Sequence, residues 1–346
     1  MAKCMKDYFP MIRTRKEVQH EILKSQNLQE LYDSWEEDKQ KEFLDFCCGA
    51  RGVKVLYDSF FKEILSPEFH PDRLEELLMI FLGKKVKIVQ ILPNDSIRIA
   101  DESTLLITDI VVELEDGSIA NVEIQKIGYA FPGTRCACYS ADLLLRQYKR
   151  VRNRKKKNFS YRDIKTVYTI VLFEKSTSEF KQCKEDFIHH GSVIFDTDLP
   201  LRIPQEYILI PLDIFKQNMQ NKPITNMQEA WLSFLSFDEP ERMIEIIEKY
   251  PDFKARYGEI YEICQNVERV MDMFSKELME MDRNTVRYMI EEQQAEIDQK
   301  NEQLGKQDQQ IEQQDQQIEQ QKQQLENQQR EIELLKESIR KIQNSN

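Results

Sequence analysis

What this 346-residue sequence lacks first is a long apolar run: none approaches the ~20 residues needed to cross a bilayer. Its opening, MAKCMKDYFPMIRTRKE, contains no apolar signal-peptide core, so a cytoplasmic protein without membrane contact is expected. Histidine is scarce, with four in the chain, and no C-x-x-C pair occurs. Cys47–Cys48 and Cys136-x-Cys138 have neither zinc-site spacing nor histidines at suitable intervals. The seven cysteines are therefore read as reduced, mostly buried thiols. His189 and His190 are adjacent on an expected loop and make a poor chelating pair, while His20 and His70 have no partner in view. The sequence has no G-x-x-x-x-G-K-[ST] phosphate loop and no G-x-S-x-G elbow, which removes nucleotide hydrolysis by those routes. The two tryptophans, Trp35 and Trp231, read as core anchors. A net charge of −12 excludes a protein that coats nucleic acid over its whole surface, but it leaves room for a local basic site.

What is present organises into four parts. Residues 1–50 are charged and partly helical, with Ser34 expected to cap the helix in SWEEDKQKEFLDFC. Residues 51–225 read as an α/β core. VKVLYDSFFKEIL (53–65) has helical periodicity, and PDRLEELLMIFL (71–82) carries Pro71 near its start and Gly83 as its stop. KVKIVQIL, LLITDIVVEL and SIANVEIQ read as strands, followed by a helix over about 133–150. TVYTIVLF (166–173) and EYILIPL (206–212) are further strands. Residues 226–283 return to amphipathic helices. Mixed strands enclosed by leading and closing helices fit a sheet layered between helices.

From about residue 284 glutamine dominates, and DQQIEQQ occurs twice in succession at 308–321. Apolar residues recur every seven: Ile290, Ile297, Leu304, Ile311, Ile318, Leu325, Ile332 and Ile339. That period is the mark of a left-handed coiled coil, and a homo-oligomer joined through this tail is expected. The companion core position is mostly polar (Gln293, Lys300, Gln307, Gln314, Gln321, Gln328), so a solvated single helix competes with that reading.

The stretch DIVVELEDGSIANVEIQ (109–125) raises the question of why a half-buried hairpin carries Asp109, Glu123 and Gln125. Side chains alternate across a strand. Ile110, Val112, Leu114, Val122 and Ile124 therefore share one face, and Asp109, Glu113, Asn121, Glu123 and Gln125 share the other. A solvated face gives the same alternation, so the pattern alone does not choose. Register does bear on it. A two-residue turn at Asp116-Gly117 sets Asp109 opposite Ile124, leaving Asp109 and Glu123 on opposite faces. A three-residue loop of Glu115, Asp116 and left-handed Gly117 sets Asp109 opposite Glu123 and keeps all five apolar residues together. The second register is expected. Downstream, Arg135 and Tyr139 lie i, i+4 on one helical face. KRVRNRKKK (149–157) then has seven basic residues in nine, either a solvated flexible loop or a grip for a polyanion.

These segments resemble the PD-(D/E)XK nuclease superfamily, in the branch of Rpn-family recombination-promoting nucleases or PD-(D/E)XK nuclease family transposases. The likeness rests on TDIVVELEDGSIANVEIQ, RCACYSADLLLRQY, YRDIKTVYTIVLF and EAWLSFL. DSFFKEIL is similar to the D-x-x-F-K stretch of the family's first helix. The resemblance implies a restriction-endonuclease-like mixed sheet flanked by helices, here followed by a helical region and a long C-terminal coiled-coil helix. It implies that Asp109 and Glu123 bind Mg²⁺ (or Mn²⁺), with Gln125 standing where the superfamily usually has the catalytic lysine. Asp58, Arg135 and Tyr139 are implied as accessory residues. Thr108 stands before Asp109, so the Pro-Asp half of the signature is absent as such.

A divalent cation on two carboxylates, completed by a backbone carbonyl such as that of Ile124, supports phosphodiester hydrolysis by stabilising charge on the attacking and leaving oxygens. Gln125 can orient water but supplies no charge and cannot act as a base, leaving Lys126 or Arg135 as candidates to supply charge. The implied function is a metal-dependent DNA endonuclease associated with recombination or mobile elements, with Arg150, Arg152, Arg154, Lys155, Lys156 and Lys157 contacting DNA. The alternative is a catalytically weak or inactive DNA-binding or scaffolding protein that keeps the fold.

Overall fold

The computed structural model describes residues 4–93, 109–126, 132–197 and 199–343. The chain divides into two compact units, Met1–Tyr288 and Met289–Asn346. The first opens with four helices, α1 (Met5–Tyr8), α2 (Arg15–Leu23), α3 (Gln26–Asp33) and α4 (Glu37–Cys47). Ser34 does not open α4 as expected. It closes α3, its hydroxyl donating to the Leu31 carbonyl at 2.6 Å, while extended Glu36 stands at the start of α4. The three-residue connection from Ser34 to Glu36 turns Trp35 into the core, where it meets Phe43 and Phe274.

Helix α5 (Asp58–Ile64) is shorter than its sequence periodicity implies, because Val53, Val55, Leu56 and Tyr57 bury themselves from a turn that precedes it. Helix α6 (Pro71–Leu82) has the expected ends: Pro71 at the first turn and Gly83 in the left-handed conformation at φ 62°. Six strands follow among the remaining helices: β1 (Ile88–Ile91), β2 (Ile110–Leu114), β3 (Ile119–Gln125), β4 (Val167–Phe173), β5 (His189–Ser192) and β6 (Gln205–Pro211). They form one mixed sheet in the order β1-β2-β3-β4-β6-β5. The β1–β2–β3 part is antiparallel, β3, β4 and β6 are mutually parallel, and β5 closes the edge antiparallel to β6. The parallel step from β3 to β4 is made by helix α7 (Pro132–Lys155). Helices α8 (Leu212–Met219), α9 (Met227–Ser236), α10 (Pro240–Lys249), α11 (Asp252–Ile263) and α12 (Val267–Gln343) complete the chain.

Both faces of the sheet are covered. Ile110, Val112, Leu114, Val122, Ile170, Leu172 and Ile210 join the large core that also takes Trp231, Phe234 and Phe274. The opposite face, carrying Val111, Ile119, Val167, Val171 and Phe173, packs on Leu143 and Cys136 of α7. The polar side of the hairpin is therefore not a solvated face. Every residue of β2 is buried, and so is every residue of β3 except Ile124. Each buried Val or Ile contributes about 1.5–3 kcal/mol, so a one-residue slip that inverted both faces is strongly disfavoured.

His189 and His190 lie on edge strand β5 rather than on a loop, and His189 packs against the ring of Phe180. All seven cysteines are free, but they are not mostly buried: Cys47, Cys136 and Cys264 are inside while Cys4, Cys138 and Cys183 are exposed. Among the described residues, no helix is long and apolar enough to cross a membrane. Within the second unit the helix continues to Gln343, with Ile297, Leu304, Ile311, Ile318, Leu325 and Ile332 all exposed.

Candidate active site

The hairpin adopts the three-residue loop. Ile110 pairs with Val122 and Val111 with Asn121, Gly117 sits at φ 81°, and its N–H donates to the Leu114 carbonyl at 2.9 Å. The side chain of Asp116 accepts from the Ser118 N–H at 2.9 Å and fixes the turn locally. Gln147 of α7 clamps it from outside, donating to the Gly117 carbonyl and accepting from the Lys165 N–H, both at 3.0 Å. The expected strand start at 105–108, with Thr108, lies outside the described residues.

This register brings Asp109 and Glu123 together. The Asp109 N–H donates to Glu123 Oε2 at 3.1 Å, and the Ile124 N–H donates to Asp109 Oδ2 at 2.9 Å. Burial pushes the Asp109 carboxyl up to about 6, with Lys62 opposing and Asp58 adding to the rise. Burial and then the neighbouring Asp109 charge push Glu123 well above the usual carboxylate range. Two carboxylates held this close inside the protein want a cation between them. Gln125 follows on the same side of β3, buried, and both of its amide atoms lack a hydrogen-bond partner among the described residues.

The accessory residues arrive from two helices. The Tyr139 hydroxyl of α7 hydrogen-bonds to Glu123, and Arg135 donates to that hydroxyl at 3.2 Å. Asp58, the first residue of α5, lies 2.9 Å from Lys62 Nζ one turn on, and Lys62 Nζ also stands 3.2 Å from Asp109 Oδ1. Burial disfavours the Lys62 charge, but the Asp109 and Asp58 carboxylates outweigh it and push its pKa up to about 12. Lys62 was not among the residues the sequence pointed to. Its sequence signals were its place as the lysine of the D-x-x-F-K stretch and its i, i+4 spacing from Asp58, neither of which was given a role. Lys126 does not supply charge to the carboxylates; its ammonium pairs with Glu277 of α12. Glu277 also accepts from the Asp58 N–H at 3.0 Å. No local signal pointed to Glu277, which lies 151 residues from Lys126.

The donors fit a hard divalent ion. Among the described residues no group of three or more His, Cys, Asp or Glu side chains is placed to hold a metal. Mg²⁺, however, is commonly held by one or two carboxylates with water and substrate oxygens completing the shell. The neighbouring carboxylates of part-buried Asp109 and buried Glu123 are the positive reason to consider one there.

The basic run differs from the flexible loop that was one expectation. Helix α7 extends through Lys155, a 3-10 turn follows at Lys156–Asn158, and Lys156 adopts φ 47°. Arg150 and Arg154, one turn apart, both pair with Glu113, the latter at 2.8 Å. Burial raises the Glu113 pKa, but the two guanidiniums outweigh it and hold the carboxyl low. Lys155 pairs with Asp163, and Arg152 lies over the Tyr148 ring. Tyr148 in turn meets Phe159 and Tyr161. Of the six candidate DNA contacts, Arg150, Arg154 and Lys155 thus spend their charge within the protein. Lys156 and Lys157 are exposed and form no ion pair among the described residues.

The mixed six-stranded sheet flanked by helices is consistent with an α/β fold of the PD-(D/E)XK nuclease type. The chain belongs to the PD-(D/E)XK nuclease family transposases, whose family model matches residues 55–302. That family comprises nucleases related to mobile elements, and PD-(D/E)XK nucleases generally use divalent metals. No curated protein and no solved structure matches the chain.

Proposed function

We propose that this protein is a DNA endonuclease dependent on Mg²⁺ or Mn²⁺, with Asp109 and Glu123 holding the cation. The observation that carries this reading is the juxtaposition of the part-buried Asp109 and buried Glu123 carboxylates, each accepting from a backbone N–H of the facing segment, where burial disfavours both charges unless a cation is near. When bound, the cation supplies charge stabilisation to the attacking water and the leaving oxygen. The chain's own groups position the reaction. The Ile124 N–H orients the Asp109 carboxylate, Tyr139 and Arg135 orient Glu123, and the amide of Gln125, without a hydrogen-bond partner among the described residues, is the group left to meet a water or a phosphate oxygen. Incubating the protein with supercoiled plasmid in Mg²⁺ or in EDTA tests the reading. Nicking that EDTA abolishes is expected; intact plasmid in both conditions, with retained DNA binding, gives the result to the non-catalytic scaffold that Gln125 favours.

DNA contact by the basic end of α7 has its own test. Neutralising Arg152, Lys156 and Lys157 is expected to weaken binding to all sequences alike. It should flatten log affinity against log salt by about one for each phosphate no longer neutralised. Neutralising Arg150 and Arg154 is expected to lower thermal stability instead, because it strips both partners from buried Glu113. An unchanged salt slope in the first variant would remove this segment from the DNA interface.

The tail is proposed to join copies of the chain. Its exposed residues at seven-residue spacing, Ile297 through Ile332, form a continuous apolar stripe along a helix, which two or more copies can bury together. Removing residues 290–346 is expected to lower the oligomeric state in light scattering while the remaining chain keeps its melting temperature. A monomer with and without the tail would leave the solvated single helix.

A further inference from the structure

We propose that Lys62 is the site cation of this nuclease, its ammonium delivered from α5 to the reacting phosphate to supply the charge that the neutral Gln125 cannot. This rests on the reading of Asp109 and Glu123 as the metal-holding pair. Three observations converge on Lys62. Position 125 is a glutamine, a neutral group. The cation next to it in sequence, Lys126, is sealed against Glu277, with side-chain exposures of 8% and 1%. Arg135 donates to the Tyr139 hydroxyl and its charge bears on Glu123, on the far side of the pair from Lys62.

Lys62 alone among these reaches Asp109 by a direct ion pair at 3.2 Å, and its side chain stays 38% exposed, open to a substrate. An i, i+4 Asp–Lys pair on a helix is ordinary and worth about 0.3–0.5 kcal/mol. The contact with Asp109 is not of that kind, because it joins a helix to a strand 47 residues away (from 62 to 109). The α5 backbone that presents Lys62 is itself tied down, since the Asp58 N–H donates to Glu277.

In the hydrolysis, the water oxygen forms the new P–O bond and surrenders a proton to solvent. The bridging P–O bond breaks with its electron pair on the leaving oxygen, which takes a proton from solvent. Lys62 stays protonated throughout and is no general base. Its charge stabilises the phosphoryl oxygens as negative charge builds on them.

The test compares wild type with Lys62→Met, Lys62→Arg, Gln125→Lys and the Lys62→Met/Gln125→Lys double variant. Each is assayed for Mg²⁺-dependent plasmid nicking and for Mn²⁺ binding by calorimetric titration. Lys62→Met is expected to lose about 10²–10³-fold in nicking rate, the scale seen on removing one donor to a developing charge. Lys62→Arg is expected to keep most of the rate. The double variant is expected to regain at least about tenfold, because charge returns from the strand side. Mn²⁺ affinity in Lys62→Met is expected to hold or rise, since a cation competing for Asp109 is gone.

Wild-type nicking with an equally active Lys62→Met overturns the proposal. So does a Lys62→Met variant that loses Mn²⁺ affinity and is not rescued by Gln125→Lys, which would make Lys62 a strut for Asp109. A wild type that neither nicks DNA nor binds Mn²⁺ removes the endonuclease reading itself, and this proposal with it.

Discussion

Asp109→Ala and Glu123→Ala are each expected to abolish Mg²⁺-dependent nicking, by about a thousandfold or more, while DNA binding and folding persist. On the proposed reading each removes a ligand of the cation that stabilises the transition state by several kcal/mol, and each 1.36 kcal/mol is tenfold in rate. Neither variant is expected to melt earlier in EDTA, because the carboxylate removed was one of two neighbouring carboxylates whose charges burial and mutual repulsion disfavour.

The same electrostatics set a pH dependence. The folded protein holds the Asp109 proton more tightly than the unfolded chain, its pKa being pushed from 3.8 to about 6. That contribution to stability is full below about pH 4 and is lost as pH rises through about 6. In the proposed site, Mg²⁺ competes with this proton. Its stabilisation of the fold should therefore be small at about pH 5 and large at about pH 7.5, as differential scanning fluorimetry can measure. Mg²⁺ stabilisation that is the same at both pH values, or full activity in both alanine variants, would mean the metal is held elsewhere.

The largest expected effect on stability lies behind the site. Glu277→Ala leaves the Lys126 ammonium buried without its partner and removes the acceptor of the Asp58 N–H. Breaking one side of such a pair costs about 3–5 kcal/mol, a fall of order 10 °C in melting temperature for a chain of this size. Nicking should weaken too, since α5 carries Lys62 and Asp58 and loses a tether. The Lys126→Met/Glu277→Met double variant is expected to recover most of the stability, because replacing both partners by apolar groups leaves no uncompensated charge. If the single and double variants melt alike, the pair carries none of this coupling.

Much of the fold and part of the site were legible in the sequence because they are set by local periodicity. Alternation along 109–125 fixed which side chains share a face. The preference of glycine for a left-handed backbone at Gly117 then chose the register that sets Asp109 against Glu123. Pro71 and Gly83 marked the ends of α6 for equally local reasons. Where an apolar residue could be buried in two ways, the sequence misled. Ser34 lost its capping role to the turn that buries Trp35, and residues 53–57 found burial without helix.

Tertiary structure alone decided the electrostatics. A basic run reads as seven free charges until Glu113 and Asp163 are brought to it from elsewhere in the chain. Lys126, beside Gln125 in sequence, is withdrawn by Glu277, while Lys62, a helix away, is delivered to Asp109. Charge acts through space at a few ångströms and takes no account of chain separation. The partner of each ion was therefore fixed only when the helices closed over the sheet.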